Sequence, residues 1–264
     1  MYSNGGIYIP DRKPPMGALL NPYLMINRGL VCSPIMWEGA GGTVEDSSGN
    51  GNTGTFGAGA VSPAWISGKY GSCLYFDGGD YALIPSSASL QFSGDITIAF
   101  QVILNGTGNQ RVISKRGAAG TSYDIWYDGG GEWKIYDGTN IPRLAGVAIN
   151  VLQHHIIVVK NSVLSWYING ISQTVNDTTT FTNSSTTVDI QVGRYFGELY
   201  YLTGKLDIPM IYNRALSPSE IAQLYREPFC GFRWASIEQL YAYVAAAGGT
   251  ILPQITTAYM RLSA

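Results

Sequence analysis

Apolar and β-branched positions recur with period two through the middle of the chain. Residues 73–76, 81–84, 95–104, 110–115, 122–127, 132–136, 153–160, 163–168, 187–193 and 205–212 are short runs of this kind, and the period is that of strands rather than helices. Turn formers separate many of them, including Asp128-Gly129-Gly130-Gly131, Asp137-Gly138 and Asn169-Gly170. The last pair signals a two-residue hairpin, because Asn and Gly tolerate positive φ. The pattern predicts an all-β fold, an antiparallel two-sheet jelly-roll sandwich. Leu74, Phe76, Ile98, Phe100, Ile157, Val159, Trp166 and Ile168 are its expected inward residues. Upstream, residues 30–37 are apolar on both faces and read as a strand covered on both sides, with Pro34 at an edge, a bulge or a break.

Only the C-terminal part reads as helical, with one or two short helices. Ser217 caps the first, Pro218 suits its first turn, Glu220 completes a capping box, Ile221 and Leu224 share a face, and Pro228 follows. A second candidate starts at Ser236, carries Ile237, Leu240, Tyr241 and Val244, and stops at Gly248-Gly249. The chain thus divides into an N-terminal extended arm (1–27), a sandwich domain (28–226) and a C-terminal tail (227–264). Pro10, Pro14, Pro15 and Pro22 keep the arm from building a core of its own. Its apolar anchors Ile7, Tyr8, Ile9 and Leu24 are expected to dock on this domain or on a neighbouring subunit. The N-terminus has no apolar h-region, which argues against a cleaved signal peptide. Gly248, Gly249, Pro253 and neighbouring polar residues interrupt the uncharged stretch 239–260, so membrane insertion is not expected.

The charged fraction is 13%, against about 25% in ordinary globular domains. Gly, Ser, Thr, Asn and 18 Tyr must therefore cover the surface, as suits a binding module or an assembly subunit. A net charge of −2 and no basic run make nucleic acid an unexpected partner. Cys32, Cys73 and Cys230 show no metal spacing and read as small buried thiols.

The chemistry candidates are few. Asp46, Asn50 and Asn52 lie in an oxygen-rich turn that could hold a calcium ion, or could simply hydrogen-bond its own backbone as an Asx turn. No acid pair has the spacing glycoside hydrolysis needs, so no catalytic residue is assigned. His154 and His155 are adjacent in a strand, point to opposite faces, and read as structural. Tyr195, Phe196, Tyr200 and Tyr201 form a loop cluster suited to stacking on sugar rings. Trp126, Trp133 and Tyr136 form a second group on strands, where core packing is the competing reading.

The stretch from Val44 to Gly78, with GLVCSPIMWEGAG (29–41), LQHHIIVVKN (152–161), SWYINGI (165–171) and GKLDIPMIYNRALSPSEIAQLY (204–225), resembles the laminin-G-like jelly-roll domains of the concanavalin A-like lectin/glucanase group. The resemblance implies the sandwich fold and a calcium ion joining the Asp46 turn to Asp207, with Glu38 as a nearby third acid. The flanks KPPMGALLNPYLMINRGLV and LYREPFCGF resemble those of laminin-G-like proteins encoded by bacteriophages. That likeness implies a non-enzymatic structural or adhesive subunit on a virion surface, as capsid decoration, head fibre or tail-associated protein. Its expected partners are other assembly proteins, further copies of itself, and glycans. The alternative is a free carbohydrate-binding, lectin-like module, located extracellularly.

Overall fold

In the computed structural model, residues 12–14, 18, 20–197 and 200–232 are described. The predicted helix beyond Ser236 and the anchors Ile7, Tyr8 and Ile9 lie outside them.

The strands in chain order are β1 (Leu30–Cys32), β2 (Thr43–Val44), β3 (Gly54–Phe56), β4 (Ala64–Ser67), β5 (Ser72–Asp77), β6 (Ala82–Ile84), β7 (Ile96–Leu104) and β8 (Asn109–Gly117). They continue with β9 (Gly120–Asp128), β10 (Glu132–Tyr136), β11 (Arg143–Ala145), β12 (Gln153–Lys160), β13 (Val163–Ile168), β14 (Ile171–Ser172), β15 (Ile190–Val192) and β16 (Thr203–Tyr212). Two eight-stranded antiparallel sheets result. The first runs β14-β13-β12-β7-β16-β5-β4, with β1 also paired to β16; the second runs β11-β10-β9-β8-β15-β6-β3-β2. This is the expected all-β sandwich.

Alternation sets the core. Leu74, Phe76, Ile98, Phe100, Ile157, Val159 and Trp166 are all buried between the sheets, and Ile168 packs against them half-buried. From the second sheet Ile113, Ile125, Trp133, Ile135, Ile190 and Val192 meet them. At about 1.5–3 kcal/mol per large side chain removed from water, this interior is the main driving force for the fold.

The first sheet is buried on its other face too, which explains why β7 and β12 read as continuously apolar rather than strictly alternating. Helix α1 (Pro218–Arg226) places Ile221 and Leu224 in this layer, beside the buried Leu216 and Phe229. Its capping box is present, Ser217 accepting from Glu220 N–H and Glu220 from Ser217 N–H. Arg214 holds the same Glu220 through two N–H groups at 2.9 and 2.6 Å.

The N-terminal segment is stitched onto this layer. Asn21 N–H donates to Gly231 O at 2.9 Å, and Asn27 Nδ2 donates to the same carbonyl at 2.8 Å. Leu24 is only half-buried here.

One element is shorter than expected. The run 30–37 gives a strand only at Leu30–Cys32; Pro34 makes an isolated bridge to Asp46, and Met36 takes a positive φ of 56°. Proline has no N–H to continue a ladder, so the break falls where it stands. The three cysteines are free and buried, which raises their thiol pKa values by desolvation.

Candidate functional site

Two regions hold the chemistry, and the first is the Asp46 turn. Its carboxylate accepts from Ser33 N–H (2.8 Å) and Ser48 N–H (2.9 Å) on Oδ1, and from Ser48 Oγ (2.7 Å) and Asn52 N–H (2.9 Å) on Oδ2. Asn52 is buried, donating to Val31 O and Ser89 Oγ and accepting from Ser87 Oγ, while Asn50 reaches Leu30 O at 3.3 Å. Glu38 accepts from Glu45 N–H at 2.6 Å.

Asp207 is engaged elsewhere. Its Oδ1 lies 2.5 Å from Lys13 Nζ, which also donates to the carbonyls of Met36 and Ser72. Burial pushes the Asp207 carboxyl up to about 6, with Lys13 pulling the other way, and burial likewise lowers the Lys13 ammonium. In this arrangement the Lys13 ammonium and Ile208 N–H hold Asp207 Oδ1, and backbone N–H groups with the Ser48 hydroxyl hold both Asp46 oxygens, so a calcium ion joining the two carboxylates would have to displace these donors. Among the described residues, no group of three or more His, Cys, Asp or Glu side chains gathers to hold a metal.

The histidines separate as the strand period requires. His155 is fully buried in the core, stacked on Phe100 at 5.0 Å and accepting from Trp166 Nε1 at 3.0 Å, while His154 faces Tyr225 of α1. Burial lowers both to about 3, so both are neutral.

The second region is the outward face of β8, β9 and β10. The inward residues Ile113, Ile125, Trp133 and Ile135 leave Arg111, Asp124, Trp126 and Tyr136 pointing away from the core. Arg111 lies 4.3 Å over the Trp126 ring, and its Nε straddles the Asp124 carboxylate at 3.1 and 3.2 Å. Arg116 reaches the same carboxylate at 3.3 Å and lies 4.6 Å over Tyr136. Asp124 is wholly buried, and desolvation raises its carboxyl against the opposing pull of the two guanidiniums. A buried charge of this kind persists only when paired.

The loop after β15 closes over this face. Its base is fixed by Gly193 N–H to Val112 O, Leu202 N–H to Gly193 O and Arg111 N–H to Tyr200 O, at 2.7–2.9 Å. Tyr195 is thereby set 5.3 Å from Arg111 and 5.1 Å from Arg116, with Tyr200 5.1 Å from Arg111. The two tyrosine rings are 6.3 Å apart. Phe196 and Tyr200 remain 45% and 46% exposed, while Tyr201 is half-buried.

The two aromatic groups of the sequence therefore meet in one place, but Trp133 is a core residue with no exposure and Trp126 is buried, 8% exposed, beneath Arg111. Sequence reasoning missed Arg111, Arg116 and Asp124. Their signal was the strand period, which sets 124, 126 and 128 on one face of β9, beside β8 on one side and β10 on the other. The remaining acids here, Asp128 and Glu132, are paired with Lys134 at 2.7 and 3.3 Å.

The sequence of residues 76–222 matches the Laminin_G_3 family, described as the concanavalin A-like lectin/glucanases superfamily. No curated protein matches the chain. Among solved structures, the binding domain of Paraclostridial Mosquitocidal Protein 1 is similar at a TM-score of 0.61 and 19% identity, over 78% of this chain and 54% of that one. Domain 4 of the GH43 extracellular arabinanase AbnA from Geobacillus stearothermophilus, in complex with arabinotriose, gives 0.58 and 19%, over 74% and 98%. Trypanosoma rangeli sialidase gives 0.56 and 16%, over 77% of this chain but 33% of that protein. The chain thus spans about half of the first structure and a third of the sialidase. At these identities the likeness shows the fold.

Proposed function

The chain belongs to the concanavalin A-like lectin/glucanases superfamily, and from that premise we propose that it is a non-enzymatic, adhesive carbohydrate-binding module. The observation that carries this reading is the outward face of β8–β10, where Trp126, Tyr136, Tyr195 and Tyr200 gather around two arginines tied to one buried carboxylate. Flat rings take the C–H faces of sugars, and fixed N–H donors orient hydroxyl groups. The rings are immobilised by cation–π contact and by hydrogen bonds at the loop base, so little side-chain entropy is lost when a ligand arrives. Asp124 is engaged by two arginines and Asp128 by a lysine, an arrangement for structure rather than for acid–base work. Domain 4 of the arabinanase, of the same fold, holds arabinotriose, which supports a sugar as the ligand class.

The finer setting is the surface of a bacteriophage virion, as capsid decoration, head fibre or tail-associated subunit. It rests on the resemblance of the flanking segments. In the structure the described parts of those flanks meet each other at Asn21, Asn27 and Gly231, which favours a self-contained module over one whose whole arm waits for a partner. Attachment to an assembly then falls to Ile7, Tyr8 and Ile9, outside the described residues.

A glycan array probed with the purified chain tests the reading. Binding to a restricted set of glycans is expected, with loss in Tyr200→Ala. Failure to bind any glycan, or binding that survives in both Tyr200→Ala and Trp126→Ala, would contradict it.

A further inference from the structure

Resting on the carbohydrate-binding reading, we propose that this face selects anionic sugars and that Arg116 receives their carboxylate. The two arginines of the cluster are not equivalent. Arg111 is an anchor: its side chain is 8% exposed, its Nε is on Asp124, its Nη1 donates to Asn109 Oδ1 at 2.7 Å, and three rings lie against it. Arg116 is 30% exposed at the side chain and stands between Tyr136 and Tyr195. Only its Nη1 is engaged, at 3.3 Å from Asp124; among the described residues, its Nε and Nη2 have no hydrogen-bond partner.

Those two atoms form one edge of the guanidinium. A planar fork with an open edge takes a carboxylate through two parallel, charge-assisted N–H···O bonds, stronger than those it gives to neutral hydroxyl groups. The fork is also pre-oriented, since Asp124 holds the opposite nitrogen and the two rings fix its plane.

Charge points the same way. Asp124 supplies one negative charge to two guanidiniums, leaving one positive charge in excess at the ring-walled edge. Among the described residues the neighbouring acids do not cancel it, since Asp128 and Glu132 face Lys134, and Glu132 and Asp177 also face Arg143. The sugar ring itself has a surface to rest on. Phe196 is exposed beside Gly117, the residue after Arg116: a Cβ placed at Gly117 would lie 3.5 Å from the Phe196 ring. Tyr200 is exposed beside Tyr195, their rings 6.3 Å apart.

The test is calorimetry on the full chain with a panel of uronic and nonulosonic acid oligosaccharides, each paired with its methyl ester, which keeps the ring and removes the charge. The free acids are expected to bind at least about tenfold more tightly than the esters, a preference that weakens as salt is raised. Arg116→Gln is expected to bring acid and ester to equal affinity while the near-ultraviolet circular dichroism stays unchanged, and Arg116→Lys to recover part of the preference. Equal binding of acids and esters by the unaltered chain, or a preference intact in Arg116→Gln, would overturn the proposal and leave the carbohydrate reading standing. No binding of either form across the panel and a neutral-sugar panel would overturn both. If Arg116→Gln does not fold, the acid-to-ester ratio of the unaltered chain decides alone.

Discussion

Lys13 Nζ and Asp207 Oδ1 lie 2.5 Å apart across a sequence separation of 194 residues, with both side chains closed to solvent. The N-terminal segment thus delivers a single positive charge into the sandwich. It donates to one carboxylate oxygen and two carbonyl oxygens at once.

Removing that charge is expected to be expensive. Lys13→Met leaves Asp207 buried and unpaired, which costs about 3–5 kcal/mol in comparable cases. Without Lys13 the raised Asp207 pKa climbs further, so the folded variant takes up a proton more readily than the original. The penalty should therefore shrink as pH falls from about 8 to about 5. Urea melts at the two pH values check this, and the double variant Lys13→Met, Asp207→Leu should recover most of the stability. A loss independent of pH would contradict the assignment.

Acid should destabilise the fold through the two histidines. Burial depresses both to about 3, against about 6.5 in the unfolded chain. Their contribution is complete above the unfolded value and is lost as pH falls toward the folded one. Asp207, raised to about 6, acts in the opposite sense: its contribution is present at low pH and lost as pH rises through that value. Asp124 is raised as well, whereas the lowered carboxyls of Asp128, Asp137 and Glu220 act with the histidines, and together these are expected to outweigh the raised aspartates. A lower melting temperature at about pH 4 than at about pH 7 is expected, with His154→Phe recovering part of the difference. An unchanged or higher melting temperature in acid would argue against two buried neutral rings.

Gly170 is expected to resist substitution for two separable reasons. Its φ is +77°, and a Cβ there would lie 2.6 Å from the Tyr225 ring of α1. Gly170→Ala should lose about 1 kcal/mol or more from the backbone alone, with a further loss from the ring that Tyr225→Ala relieves. Chemical denaturation of the two single variants and the double separates them. Strict additivity would mean that the hairpin and the helix do not touch.

Calcium is expected to leave thermal stability unchanged, because four donors fill both oxygens of Asp46 and Asp207 Oδ1 is held by Lys13 and Ile208 N–H. Melting with calcium and with a chelator should coincide. A rise with calcium would mean that the ion displaces these contacts.

The sandwich was legible in the sequence because strand period, turn residues and the capping box at Ser217 and Glu220 all point one way. Short strands such as β2, β11 and β14 were not, since two or three residues carry no period. The run at 30–37 was read too long because its apolar character outlasts its hydrogen bonding, which ends near Pro34. The loop tyrosines were visible as candidates. Their meeting with Trp126 and Tyr136 depends on which strands become neighbours, a long-range fact that no local pattern encodes. The same limit hid Lys13 as the partner of Asp207.

The proposed ligand sits on the face formed by Arg116, Tyr195 and Tyr200. Amide and arginine Nε chemical shifts of the isotope-labelled chain, followed during titration with an oligosaccharide selected from the acidic panel, test it most directly. The Arg116 Nε signal and the amides of Tyr195, Phe196 and Tyr200 are expected to move together and saturate with one affinity, while Asn50 and Asn52 stay still. Shifts centred on the Asp46 turn, or binding that leaves the Arg116 Nε signal in place, would contradict it.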